Sequence, residues 1–521
     1  MFRKIWAPFL VLSALYLNAG CNDNNDNNNA DNTHNNNHVG NTSPDNGGNT
    51  SHNDNDNENN NNDDISEGVP FEAPMLGLVP GSTTAELNFT WYSDSTEKSA
   101  VRIFNESGKL VKTWEGNSGA ASGEKCWNKV TAKELQADTP YQYSVSNDGV
   151  NWSYRYAYRT PKTHMFRFAS VGDSQLTTGA QDSASAYFSV DRTTAEGWKE
   201  TVAKIANKGV DFIASVGDQV DKTSGGDERE YAHFFAPPQL RHLPFSPTVG
   251  NHDRHYPFIY HYHLPNEQTF EPIVNATNNN SLEYGTAEAA GNYWYLYNNT
   301  LFVVLNTSAY PDSPTTAEPY IARFEQTLSA ATHANQGKYA WLVVQQHKST
   351  ASVAQHVADR DIGYYVEAGL EALMDKHHVD VVLSGHDHVY VRSYIMKNGA
   401  RVETAQNAQG SQISGGQGTL YLTLTTASGL KYYDVFHMGL YEKNNASYPP
   451  LADGTCGSVE YMRGAEGGSL ATDKLPLSTF FYKQNKKPSY AIFEVNGNTM
   501  SVVVYETDND EAHIDSFVVS K

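Results

Sequence analysis

Cysteine is almost missing from this chain, with three in 521 residues, at Cys21, Cys126 and Cys456. So few thiols exclude a disulfide-dense scaffold. Positive charge is also scarce: 37 Lys and Arg stand against 59 Asp and Glu, a net charge of -22. That balance excludes a nucleic acid or an anionic membrane surface as the default partner. Long apolar runs are lacking too, since the stretch from Ile5 to Leu17 is short for a membrane span. Residues 22–64 hold nine of the 59 acidic residues and no Lys or Arg, and are mostly Asn, Asp, Gly, Ser, Thr and His. Such a tract buries too little apolar surface to offset its ordering entropy, and is expected to be a disordered spacer.

What the chain does have is a series of short apolar, β-rich runs, each ending abruptly in polar residues. FRFASV leads to Gly-Asp173, VDFIASV to Gly-Asp218, LPFSPTV to Gly-Asn251-His252-Asp253, YAWLVV to His347, and VDVVL to Gly-His386-Asp-His388. Runs of this kind read as strands buried on both faces. Gly lets the backbone turn sharply at their ends. In layered α/β folds the carboxyl ends of strands are where residues distant in sequence meet. Between the runs lie helical stretches such as Thr193 to Lys208. There Thr193 and Glu196 have capping-box spacing, Gly209 supplies a stop, and Trp198, Val202 and Ile205 form an apolar stripe. Carboxylates, an amide oxygen and imidazoles together suit Mn, Zn or Fe better than Mg or Ca. Two such ions about 3.5–4 Å apart can activate water and hold phosphoryl oxygens, which makes hydrolysis possible without a protein nucleophile.

The ordered set Asp, Gly-Asp, Gly-Asn-His, His, Gly-His-x-His across residues 165–395 resembles the calcineurin-like metallophosphoesterases, and within them the purple acid phosphatases. The resemblance implies an α/β catalytic domain, a four-layer αββα sandwich spanning 163–521. It implies one metal held by Asp173, Asp218 and His388, and a second held by Asp218, Asn251, His347 and His386, with Asp218 bridging. His252 would stabilise or protonate the leaving oxygen, Asp253 would orient or charge His252, and His356 would contact substrate. Two positions depart from the family. A Tyr that colours purple acid phosphatases is replaced by Asp221, which implies a colourless enzyme with two divalent ions. The His expected two residues after Asp173 is Gln175, either a weaker metal ligand through its amide oxygen or a hydrogen-bonding neighbour of one. The expected activity is metal-dependent phosphomonoester hydrolysis of small phosphorylated substrates. A phosphodiesterase or nucleotidase remains open, as does, from another class, a lipid-anchored adhesin with a decayed site.

Residues 67–162 read as a separate all-β module. Ala85, Leu87, Phe89 and Trp91 alternate with polar neighbours as in a half-buried strand, and turns are expected at Glu106-Ser107-Gly108 and Asn147-Asp148-Gly149. Tyr154, Tyr156 and Tyr158 are expected on one face. The module resembles a fibronectin-III-like domain, including the Thr139-Pro140-Tyr141 run. At the amino terminus, Arg3 and Lys4, the apolar stretch and Asn18-Ala19-Gly20-Cys21 have the layout of a secretory signal and resemble a bacterial lipobox. Membrane attachment would then be through lipid on Cys21 alone, with the catalytic domain exported. Cys126 and Cys456 would remain, as a disulfide or as free thiols. Toward the carboxyl end, Thr419–Ala427, Ser489–Val495, Ser501–Tyr505 and His513–Val519 are expected as strands. Tyr432 or Tyr433 is expected near the site, and 435–485 as a long loop or insertion.

Overall fold

Two large sheets of mostly apolar strands account for most of the architecture, which comes from a computed structural model. It describes residues 69–177, 193–222, 228–254, 256–273, 289–429, 431–433, 476, 478–509 and 513–521. The signal-like segment, the Asn-rich spacer, Cys21 and Cys456 lie outside the described residues.

Met165–Val171, Phe212–Ser215 and Phe245–Ser246 pair in parallel. On the other side of Met165–Val171, the antiparallel meander Ser489–Asn496, Thr499–Glu506 and His513–Ser520 completes most of a seven-stranded sheet. Beyond the meander Gln412–Ser414 pairs in parallel with His513–Ser520 and forms the sheet's edge. In the second sheet Thr300–Leu305, Trp341–Gln346, Val381–Ser384 and Thr419–Thr423 run parallel. It is flanked by Tyr293–Tyr297 on one side and Tyr390–Lys397 on the other. Thr479–Lys483 pairs with Tyr390–Lys397, so the stretch expected to be a loop supplies a strand.

The apolar runs are continuous because the second sheet is covered twice. Successive side chains point to opposite faces. Phe302 and Val304, Val343, and Val381 and Leu383 join the core shared with the first sheet. Their neighbours Leu301, Val303 and Leu305, Leu342 and Val344, and Val382 join a separate core under Pro314–Ala334, Arg360–Glu367 and Leu370–Lys376. Between the sheets Phe302 meets Phe168 and Phe212 edge-on, with centroids 5.2 and 5.4 Å apart. The helix Thr194–Asn207 has the expected capping box on Thr193 and buries Trp198, Val202 and Ile205 against the first sheet's core. The result is a mixed, sheet-rich α/β fold with helices against both sheets. Among the described residues no helix is long and apolar enough to cross a membrane.

Ahead of it stand two four-stranded antiparallel sheets. One contains Gly77–Pro80, Leu87–Ser93, Cys126–Ala132 and Asn117–Ala120; the other contains Leu110–Glu115, Ala100–Asn105, Pro140–Ser146 and Tyr156–Arg159. Both expected turns are present, with Gly108 and Gly149 each at φ 79°. Leu87–Ser93 is buried along its whole length rather than half-buried. Its polar face packs on the catalytic part, where Asn88 donates to His263 O at 2.9 Å. Lys129 reaches Ile259 O and Tyr143 reaches Arg241 O across the same junction. Tyr154 leaves the expected shared face: it precedes the strand and is exposed, whereas Tyr158 is buried. Cys126 opens a strand as a half-buried thiol.

Candidate metal centre

The parallel strands of both sheets end at one place, and their last residues turn there. Asp173, Gln175, Asp218, His386 and His388 all adopt positive φ, at 49°, 38°, 55°, 71° and 47°. Side chains with a Cβ rarely occupy that region, at a cost of about 1 kcal/mol or more each. Such strain persists where the surroundings over-determine it, and it gathers at functional sites. Two glycines allow the crowding. A Cβ on Gly250 would lie 2.0 Å from Asp218 Oδ1, and one on Gly385 would lie 2.4 Å from Asp173 Oδ2.

The side chains then meet in pairs. Asp173 Oδ1 is 3.3 Å from His388 Nε2, and Asp218 Oδ2 is 3.3 Å from His347 Nε2. Asn251 Oδ1 lies 2.9 Å from that same His347 Nε2. His347 Nδ1 is 2.8 Å from Val216 O, and His388 Nδ1 is 2.7 Å from Lys431 O. A carbonyl only accepts, so each Nδ1 carries a hydrogen and each Nε2 is the nitrogen turned toward the carboxylates. Asp218, His347 and His386, all buried, have ligand atoms within 4.8 Å of one another. Asn251 adjoins this group through His347, and the Asp173–His388 pair adjoins it through the bond from His386 N to Asp173. Gln175 enters through its amide nitrogen, which donates to Asp218 Oδ2 at 3.1 Å.

Electrostatics favour a cation here. Asp173 and Asp218 are fully buried, and buried carboxylates are costly unless paired. Burial works against charge on Asp218, yet His347 and His252 hold it ionised, well below the usual carboxylate range. Burial likewise opposes charge on His347, but Asp218 and Asp173 keep a proton on it up to about 9. That proton occupies the place a cation would take. His386 is held neutral by burial and by its neighbours His356, His347 and Lys348. Its Nε2 has no hydrogen-bond partner, and neither does Gln175 Oε1. Two orphaned buried acceptors beside two buried carboxylates fit a divalent metal pair.

The residues expected to act on substrate lie at the rim. His252 is part-buried, its Nδ1 is 2.7 Å from Asp221 O and 3.4 Å from Asp221 Oδ1, and its Nε2 is 3.9 Å from Asp218 Oδ2. Asp253, expected to orient His252, is instead buried on backbone amides, accepting from Gln219, Val220 and Gly250. Its carboxylate ties the Asp218 turn to the Asn251 turn, so Asp221 is the residue that meets the His252 ring. His356 stacks on His386 at 4.1 Å and its Nδ1 is 2.7 Å from Asp359 Oδ2. Tyr433 packs against both His356 and His388, at 4.7 and 4.8 Å. Sequence reasoning passed over Asp221's backbone carbonyl, Asp359 and Asp387. Only Asp387 carried a signal, an acid between two histidines.

Residues 166–390 match the family model of calcineurin-like phosphoesterases. The chain carries a calcineurin-like phosphoesterase domain. It is a phosphoesterase enzyme, and the family that residues 166–390 match implies small phosphorylated substrates and a pair of divalent ions. The phosphoesterase shares its fold with a purple acid phosphatase from yellow lupin (Lupinus luteus) seeds. The identity is 16%, the coverage 86% of this chain and 74% of that one, and the TM-score 0.56. A dimetal phosphatase from Danio rerio is a looser likeness, 12% identical over 68% of this chain and 98% of that one, with a TM-score of 0.38. No curated protein matches the phosphoesterase in sequence.

Proposed function

We propose that this phosphoesterase is a broad phosphomonoesterase working outside the cytoplasm with two divalent ions drawn from Fe, Zn and Mn. The observation that carries the reading is the buried convergence of Asp218, His347 and His386 ligand atoms within 4.8 Å, with no hydrogen bond on His386 Nε2. Asp173, Asp218 and His388 would hold one ion; Asp218, Asn251, His347 and His386 would hold the other. When bound, the pair supplies an activated water and neutralises charge on the phosphoryl oxygens. The chain's own residues do the rest. Gln175 donates to Asp218 and keeps the shared carboxylate in register. Val216 O and Lys431 O fix the tautomers of His347 and His388. His252, held through Nδ1 by Asp221, presents Nε2 to the departing oxygen and gives it a proton. His356, which Asp359 biases toward the charged form against the effect of burial, contacts the phosphoryl group.

Asp221 stands where a coloured relative would carry a phenolate, so both ions are divalent and the protein is colourless. The two-sheet module, which we read as fibronectin-III-like, supports the catalytic part through Asn88, Lys129 and Tyr143. Lipid on Cys21 would tether the whole. The test compares turnover of nitrophenyl phosphate with bis-nitrophenyl phosphate, before and after chelation. Faster monoester cleavage that chelation abolishes is expected. Diester preference would move the assignment to a phosphodiesterase, and a visible charge-transfer band would refute the divalent pair.

A further inference from the structure

Asp387, between the two histidines of the Gly-His-Asp-His segment, has no part in the ligand set, yet it is fully buried. Its carboxylate is saturated by one loop. Oδ2 accepts from Ala354 N at 2.9 Å and from the Ser352 hydroxyl, and Oδ1 accepts from His356 N at 2.7 Å. That loop leaves Trp341–Gln346 after His347, then runs into the short helical turn Gln355–Ala358. Three bonds from one rigid acceptor fix the backbone at His356 itself. They do so from a residue whose chain neighbours are His386 and His388, so the loop is referenced directly to the metal-ligand turn. The ring of His356 rests on His386 as a result, with Tyr433 perpendicular to it at 4.7 Å.

We propose that Asp387 is the positioning residue of the substrate side: it clamps the 352–356 loop so that His356 sits against His386 and faces the phosphoryl group. This rests on the reading of His356 as a substrate contact. A residue that only filled space would have no need of two oxygens aimed at three donors in one loop. A buried carboxylate that satisfies two backbone amides and a hydroxyl of one loop is rigid in a way a longer or neutral side chain is not. Partners of this kind typically change activity by about 10- to 100-fold when removed.

The test uses the full-length protein loaded with Mn and nitrophenyl phosphate as substrate. Asp387→Ala is expected to lower kcat/KM about 10-fold or more, chiefly through KM, while retaining both ions by mass analysis. Asp387→Asn, which keeps one carbonyl acceptor, and Ser352→Ala, which removes one bond, are expected to fall between. Combined with His356→Ala, Asp387→Ala should add nothing, because it acts through His356. Hydrogen exchange at Ala354 and His356 should quicken in Asp387→Ala and stay slow in His356→Ala. Additive losses, loss of an ion, or unchanged KM in a wild-type-active background would overturn the clamp and leave the hydrolase standing. A wild type without metal-dependent turnover would remove both, and exchange at the loop would then report only its anchoring.

Discussion

The two halves of this site are built in different ways. The half we propose to face the ions consists of strand ends, with Asp173, Asp218, His386 and His388 held at positive φ two to four residues beyond a strand. The half we propose to face substrate, His252 and His356, sits on loops whose geometry comes from hydrogen bonds to acids and carbonyls rather than from strands. A ligand set needs fixed positions before the cation arrives, which the two packed sheets supply. A substrate contact needs orientation and some access, which a clamped loop supplies. Defects in the first half should therefore remove metal and activity together, and defects in the second should remove activity and leave the metal.

Asp218→Ala offers the strongest chance to break that distinction. It deletes the carboxylate both ions would share, and turnover is expected to fall by about a thousandfold or more, with ion content below two per chain on mass analysis. Full ion content with activity lost would place Asp218 with the substrate half. His252→Ala comes next. Loss of a positioned proton donor typically costs about 10²–10⁴-fold, and the loss should be far larger for an alkyl phosphate than for nitrophenyl phosphate, whose leaving group needs no proton. Equal losses on both substrates would assign His252 to binding. Asp221→Asn should reproduce that leaving-group dependence at about a tenth of the size, with both ions retained.

A backbone test comes after these. Gly250→Ala sets a methyl 2.0 Å from Asp218 Oδ1. Overpacking of this kind costs about 1–3 kcal/mol, to be read by denaturant unfolding of the metal-free protein, and weakens metal retention. Unchanged stability and metal content would show that the turn is not as tightly set as described.

How the two halves differ also explains what the sequence disclosed. Buried strands read plainly as apolar runs, so the places of Asp173, Asp218, His347, His386 and His388 just beyond strand ends were legible. The helix at Thr194–Asn207 was legible for a similar reason, since its cap and stripe are local. Asp387 and Asp359 were not, because their meaning lies in which loop folds over them. Asp253 misled because adjacency to His252 suggested contact, whereas consecutive residues at a turn point apart and its oxygens went to backbone amides. The half-buried strand at Leu87–Ser93 misread in the same way: its polar residues face another part of the protein, not water.

The smallest expected effect lies away from the site. Burial pushes the Asp211 carboxyl from 3.8 up to about 6, against the pull of the Arg167 amide and of Lys162 and Arg167. A carboxyl whose folded value is raised contributes stability below its unfolded value and loses it as pH rises through the folded one. Wild type should thus lose about 1–2 kcal/mol relative to Asp211→Asn between pH 4 and pH 7. Parallel unfolding curves for the two proteins across that range would contradict the assignment.

The central claim is that two ions grip one shared carboxylate at the strand ends. Counting ions per chain by mass analysis while a chelator is titrated in, with nitrophenyl phosphate turnover measured on the same samples, tests it directly. Two ions at full activity, turnover falling in step with their removal and returning on readdition, is the predicted result. Full turnover from stripped protein, or from protein holding a single ion, would contradict it.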